Sequence, residues 1–209
     1  MARYSFLDLA TSASVRAAQA EMGVDQLWTP GAVDRQSERF TPDEVAFIGE
    51  RDSFYMASVS ESGWPYVQHR GGPPGFLKVI DEVTLAFADY RGNRQYISVG
   101  NVDADDRVAL ILVDYPRRAR LKILAHAERV ALDADADLLA KVMDGGYRAK
   151  PERIFKLRLA AFDWNCPQHI TPRFTEAEIE RAVQPLRERL ESLEAENRRL
   201  REQLAGPRT

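Results

Sequence analysis

The chain has 209 residues, enough for one domain of roughly 100 to 200 residues with an appendage and too few for two full domains. A 44% hydrophobic share beside 29% charged residues supplies one sizeable core and excludes a disordered chain. With 29 Lys and Arg against 32 Asp and Glu, the net charge of -3 sets up no global field toward nucleic acid or anionic lipid, so any anion site must be local. The single cysteine, Cys166, excludes an intrachain disulfide framework. The N-terminus lacks the order of a signal peptide, and the apolar runs have the length of strands, so the expectation is a cytoplasmic protein without a membrane span.

Residues 1–40 read as a lead-in: an Ala- and Gln-rich helical stretch from Thr11 to Met22, a stop at Gly23, then Trp28, Pro30 and Gly31. Thr41-Pro42-Asp43-Glu44 has a hydroxyl cap, proline at the first helical position and acids at the positive end of the dipole, which predicts a short helix to about Glu50. From Ser53 the apolar period becomes that of strands. Ser53–Ser60 and Trp64–Arg70 flank Gly63 as an antiparallel hairpin, and Phe76–Ile80 and Val83–Ala88 flank Asp81-Glu82 as a second. Asn93–Val99 reads as a short helical turn. Arg107–Tyr115, Arg120–Leu132 and Arg153–Phe162 complete six or seven antiparallel strands, a mainly β (α+β) barrel expected to span 41–172. Between the last two strands, Leu138, Leu139 and Val142 predict a helix lying against it.

After Pro172 the composition turns Glu-, Arg- and Leu-rich, which predicts one long helix over 173–209. Ile179, Leu186, Leu193 and Leu200 fall at heptad position d; Val183, Leu190, Asn197 and Leu204 fall at a. The pattern fits a parallel two-stranded coiled coil, with an amphipathic helix packed on its own barrel as the other reading. Pro185 lies off the seam at c, where it is a point at which the helix could divide.

Four segments carry candidate chemistry. His69-Arg70-Gly71-Gly72-Pro73-Pro74-Gly75 brings a cation into a glycine loop that suits a phosphate, or is a plain bend between strands. Asp89-Tyr90-Arg91-Gly92-Asn93-Arg94-Gln95 places cations and amides where a strand meets a helix start. Arg117, Arg118, Arg120 and Lys122 form either a solvated strand edge or a clamp. Phe162-Asp163-Trp164-Asn165-Cys166-Pro167-Gln168-His169 offers an indole that either faces an aromatic ligand or packs in the core. Cys166 and His169 have a metal-like spacing but lack enough further ligands, and neither a Walker loop, a G-x-G-x-x-G turn nor a G-x-S-x-G elbow occurs.

The run from Ser53 to Tyr115 resembles the pyridoxamine 5'-phosphate oxidase-related proteins, which bind flavin mononucleotide (FMN) in a split β-barrel; the resemblance extends to Asn165. It is carried by Phe76-Leu77-Lys78, Asp81-Glu82, Phe87-Ala88-Asp89, Asn93-Arg94-Gln95, Asn101 and the strand from Arg107. It implies that Lys78 sits near the flavin and Arg94 holds the phosphate. Asn93 and Gln95 stand where the family has serine and lysine, so Arg70 or Arg91 is the candidate for the missing charge. With Gly71, Arg120 and Trp164 these form the candidate cofactor site. The resemblance also implies a homodimer with flavin at the subunit interface and an oxidoreductase acting on a small organic substrate. The Arg-Leu tail of the true oxidase is missing, which counts against pyridoxamine phosphate. No catalytic residue is identified, although His69 is a candidate acid or base, and no metal is expected. A deazaflavin as cofactor, a non-catalytic flavin or haem binder and a dimeric interaction module are the rival readings.

Overall fold

The computed structural model describes residues 6–28, 38–164 and 168–206. Asn165, Cys166, Pro30 and Gly31 lie outside the described residues. The lead-in forms two short helices, α1 (Phe6–Ala10) and α2 (Ala13–Glu21), and a 3-10 turn at Asp25–Trp28. Ser12 caps α2, and Gly23 ends it with a φ of 67° that glycine adopts without strain. Helix α3 (Pro42–Gly49) begins with the expected capping box: Thr41 Oγ1 accepts from backbone N–H and the Glu44 carboxylate accepts from Thr41 N at 2.9 Å.

Seven strands follow: β1 (Ser53–Val59), β2 (Pro65–Gly71), β3 (Lys78–Asp81), β4 (Thr84–Tyr90), β5 (Arg107–Asp114), β6 (Ala119–Val130) and β7 (Pro151–Trp164). They form one antiparallel sheet in the order β2-β1-β5-β6-β7-β4-β3, not closed by backbone pairing between its edges β2 and β3. Arg70 on β2 instead reaches Asp89 on β4, so an ion pair joins the two ends of the sheet. Alternation explains the core. Phe54, Met56, Leu110, Leu112, Leu121 and Ile123 point inward and are almost wholly buried. Phe54 stacks on Phe76 at 5.4 Å, and Phe87 on Phe155 at 5.3 Å, so aromatic rings fill the interior between the two ends of the sheet.

Strand β4 is buried on both faces, because α5 (Ala136–Val142) lays Leu138 and Val142 over Ala86, Ala88 and Ile154. That is the helix expected against the barrel. The loop after β2 has a packing role: a Cβ on Gly75, whose φ is 76°, would stand 2.8 Å from the Gly49 carbonyl oxygen at the end of α3.

The turn expected at Asn93–Val99 is displaced. Helix α4 runs from Ile97 to Ala104, and residues 91–96 are loop. The displacement has a local cause. Asn93 does not cap the helix; its Oδ1 accepts from Gln95 N at 3.1 Å, a turn that competes with helix formation. Asn101 lies inside α4, buried, and donates to Ser58 Oγ at 3.0 Å, tying α4 to β1.

Helix α6 (Glu176–Ala205) is one uninterrupted helix of 30 residues with Pro185 inside it and no buried residue. It opens with a second capping box at Thr175 and Glu178. No described helix is long and apolar enough to cross a membrane.

Candidate functional site

Where β2, β4, the start of β7 and the loop into α4 converge, they enclose a cavity of about 50 Å³. Its walls are Tyr66, Gln68 and Arg70 from β2, Asp89 and Tyr90 from β4, Gly92 to Val99 from the loop and α4, and Glu152 from β7. Strand alternation puts Tyr66, Gln68 and Arg70 on one face at every second residue.

At the base lies a buried cluster. The side chains of Arg70 and Asp89 are 11% and 7% exposed, and Arg153 reaches the other Asp89 oxygen at 3.4 Å. Arg70 also lies over the rings of Phe155 and Phe87, at 5.4 and 5.7 Å. Burial outweighs pairing for both partners: it pushes the Asp89 carboxyl up and the Arg70 guanidinium down from their ordinary values. Among the described residues Arg70 Nε and Arg153 Nη1 are buried without a hydrogen bond, Arg153 Nη1 being the atom in ionic contact with Asp89. Arg153 also reaches Glu152 at 3.4 Å, so Arg70, Arg153 and Arg91 face two carboxylates and leave the cluster net positive.

The rim is polar and strained. Arg94 and Tyr96 have φ of 63° and 54°, a left-handed conformation that costs free energy for any residue but glycine. The Asn93 turn and the Arg153 guanidinium, 4.8 Å from the Tyr96 ring centre, hold that geometry. Tyr96 stands at the N-cap of α4 without a side-chain cap, so the first N–H groups of α4 have no capping acceptor. Arg94 is exposed and has no ion pair among the described residues. Arg91 is committed elsewhere: its Nε donates to Glu152 at 2.8 Å, and Tyr96 Oη donates to the same oxygen at 3.3 Å. Those bonds, chiefly the one from Arg91, hold the Glu152 carboxyl below its ordinary value. Ser98 Oγ donates to Gln68 Oε1 at 2.8 Å.

Of the residues singled out in the sequence, Arg70, Asn93, Arg94 and Gln95 meet at this cavity, and Arg91 borders it through Glu152. Gly71 ends β2 outside the cavity walls, where a Cβ would approach the His69 ring at 3.0 Å. Lys78 is half-buried on β3, opposite Ala86, and also lies outside them. Arg120 and Trp164 lie toward the other end of β7, a path of roughly 40 Å along the strand from Glu152 at about 3.3 Å per residue. Trp164 packs edge-on against Phe47 at 4.7 Å and donates from Nε1 to Glu44 Oε1 at 2.6 Å; Arg120 Nε is buried without a hydrogen bond among the described residues. Arg117 pairs with Glu50, and Lys122 with Asp163 at 3.0 Å. His69 lies outside the cavity, against Tyr55 at 5.4 Å. Among the described residues no cluster of His, Cys, Asp and Glu could hold a metal.

Sequence reasoning missed Tyr66, Gln68, Ser98, Glu152 and Arg153. The alternation of β2 flags the first two. No local signal flags Glu152 and Arg153, which arrive through strand pairing some sixty residues later in the chain.

The family model described as pyridoxamine 5'-phosphate oxidase matches residues 40–164, more than half of the chain and every strand of the sheet. The chain belongs to that family. Solved structures to which the chain is similar include HupZ of Group A Streptococcus (14% identical, 65% of this chain and 100% of that one, TM-score 0.49). An FMN-binding protein of Syntrophomonas wolfei is 14% identical over 73% of this chain and 95% of that one, with TM-score 0.44. The haem storage protein HutZ of Vibrio cholerae is 18% identical over 60% and 94%, with TM-score 0.43. No curated protein matches the sequence.

Proposed function

We propose that this member of the family binds FMN with its phosphate in the cavity between β2, β4 and α4, and acts as a flavin-dependent oxidoreductase on a small organic substrate. The observation that carries the reading is the donor set. Arg70, an Arg94 without an ion pair among the described residues and the uncapped start of α4 line one small space whose two carboxylates, Asp89 and Glu152, are already paired with arginines. Anions are the ligands that such a set satisfies, and Arg94 is suited to grip phosphate through two parallel bonds.

The volume limits what the chain holds alone. Enclosing a ligand of flavin size takes roughly 300 to 1,000 Å³, so a cavity of about 50 Å³ receives a phosphate and leaves the ring outside. The second wall is proposed to be another copy of the chain. In support, β1 and β2 turn Tyr55, Val59 and Val67 outward at 43%, 38% and 60% exposure, an apolar sheet face beside the site. In such a dimer Arg120 and Trp164 would serve the ring side of the other copy's site, and Lys78 the flavin edge. Flavin, when bound, supplies the hydride chemistry. The chain's part is to hold the phosphate, orient the ring and exclude water.

The test is the visible spectrum of the purified protein, with the released chromophore identified, followed by titration of apoprotein with FMN. Flavin bands with about one FMN per chain are expected. Arg94→Ala should weaken FMN binding roughly 10- to 100-fold, the value of a charge-assisted hydrogen bond of about 1.5–3 kcal/mol. A protein that is colourless and takes up no added FMN, or Arg94→Ala binding FMN as tightly as the parent, would overturn the assignment.

A further inference from the structure

The family match ends at Trp164, yet the chain continues into a 30-residue helix that nothing in the barrel explains. Helix α6 extends about 45 Å at 1.5 Å per residue. Ile179, Leu186, Leu190, Leu193, Leu200 and Leu204 form one stripe along it and are 43% to 85% exposed. The stripe therefore does not rest on the chain's own barrel.

The helix carries a liability that such exposure cannot offset. Proline in a helix interior costs on the order of 3 kcal/mol, and Pro185 sits inside α6 without interrupting it. Helical stability in proteins comes mainly from burying an apolar face, and α6 buries none. Pro185 occupies position c, away from the stripe, so a partner laid on the stripe would not meet its ring.

We propose that α6 pairs with α6 of a second copy as a parallel, in-register two-stranded coiled coil. Three observations choose that occupant. Leu190, Leu193, Glu194, Asn197, Arg198 and Arg201 surround a shallow groove on α6. The first four of them, at a, d, e and the next a, are the hole that receives a d-position knob, here Leu193 of the second copy. Across a parallel pair, Arg189 at g faces Glu194 at e, and Glu196 faces Arg201, both attractive. Asn197, the polar residue of the seam, pairs best with its own symmetry mate, which selects two strands in register. A lipid surface is a poorer occupant, since α6 holds more Glu than Arg.

The pairing is independent of the flavin reading and is tested without it. In the full-length chain carrying Cys166→Ser, Leu204→Cys places thiols at facing a positions, whereas Arg199→Cys places them at outward c positions. Oxidation should cross-link Leu204→Cys at least ~10-fold faster, because a disulfide needs Cβ atoms about 4 Å apart. A barrel dimer with free α6 helices would cross-link both variants alike, which would overturn the proposal. A second measurement covers poor folding of the cysteine variants. Arg189→Glu should lower the melting temperature of the α6 ellipticity and slow cross-linking, and adding Glu194→Arg should restore both. Positions 189 and 194 are five apart and do not face each other on one helix, so absence of rescue would also overturn the parallel register.

Discussion

Replacing Asp89 removes the carboxylate that Arg70 and Arg153 share at the base of the cavity. Arg70, 11% exposed, would then have no carboxylate partner among the described residues, and Arg153, 17% exposed, would keep only Glu152 at 3.4 Å. Removing one partner of a buried pair costs about 3–5 kcal/mol, so Asp89→Leu should destabilise the apoprotein by that amount. Arg70→Met should cost less, about 2 kcal/mol, because Arg153 still faces Asp89. The double variant should cost less than the sum by about 2 kcal/mol, since a hydrophobic replacement avoids burying either charge.

Linkage gives a second handle on the same pair. Burial raises the Asp89 carboxyl above its ordinary value of 3.8, so the native state holds that proton more tightly than the unfolded chain. The stabilisation from this group is complete below 3.8 and is lost as pH rises through the raised native value. Asp89→Asn should abolish that part of the pH profile. The assay is urea denaturation of the four proteins of the cycle, with the Asp89→Asn series repeated across acidic pH. Single costs that add to within about 0.5 kcal/mol would refute the view that Arg70 and Asp89 act as one buried unit.

Two further outcomes are expected. Trp164→Phe deletes the donor to Glu44 Oε1 and leaves a carboxylate 4% exposed with that oxygen unpaired, so denaturant melts should show a loss of about 1–3 kcal/mol. Hydrogen bonds from Arg107 hold the Asp105 carboxyl down to about 2, so its contribution is present above 3.8 and lost as pH falls through about 2. Asp105→Asn should therefore flatten the acid limb of thermal stability between those values, read by circular dichroism; an unchanged limb would remove the interaction from the native state.

The local alphabet of the chain was legible wherever a structure is set by neighbours in sequence. Thr41-Pro42-Asp43-Glu44 signals its capping box, Gly63 its hairpin and the two-residue alternation of β1 its buried face, because each depends on backbone sterics and hydrogen bonds within a few residues. The heptads of α6 belong to the same class, and the helix runs through Pro185 as one piece. Arg94 and Gln95 could be nominated on the same grounds, as a cation and an amide in a strand-to-helix loop.

What the sequence did not decide lies across the sheet. Strand pairing sets Arg153 opposite Asp89 and Pro151 opposite Tyr90, with Glu152 between them, and only curling of the sheet brings Arg70 on one edge strand against Asp89 on β4. The start of α4 also moved, since an Asn93 side chain satisfied in a local turn removes the reason to begin a helix there. Charge at a site is a sum over groups that meet in space. A linear reading counts the cations of one loop, whereas the folded sheet determines which of them, like Arg91, are already paired and which, like Arg94, have no ion pair among the described residues.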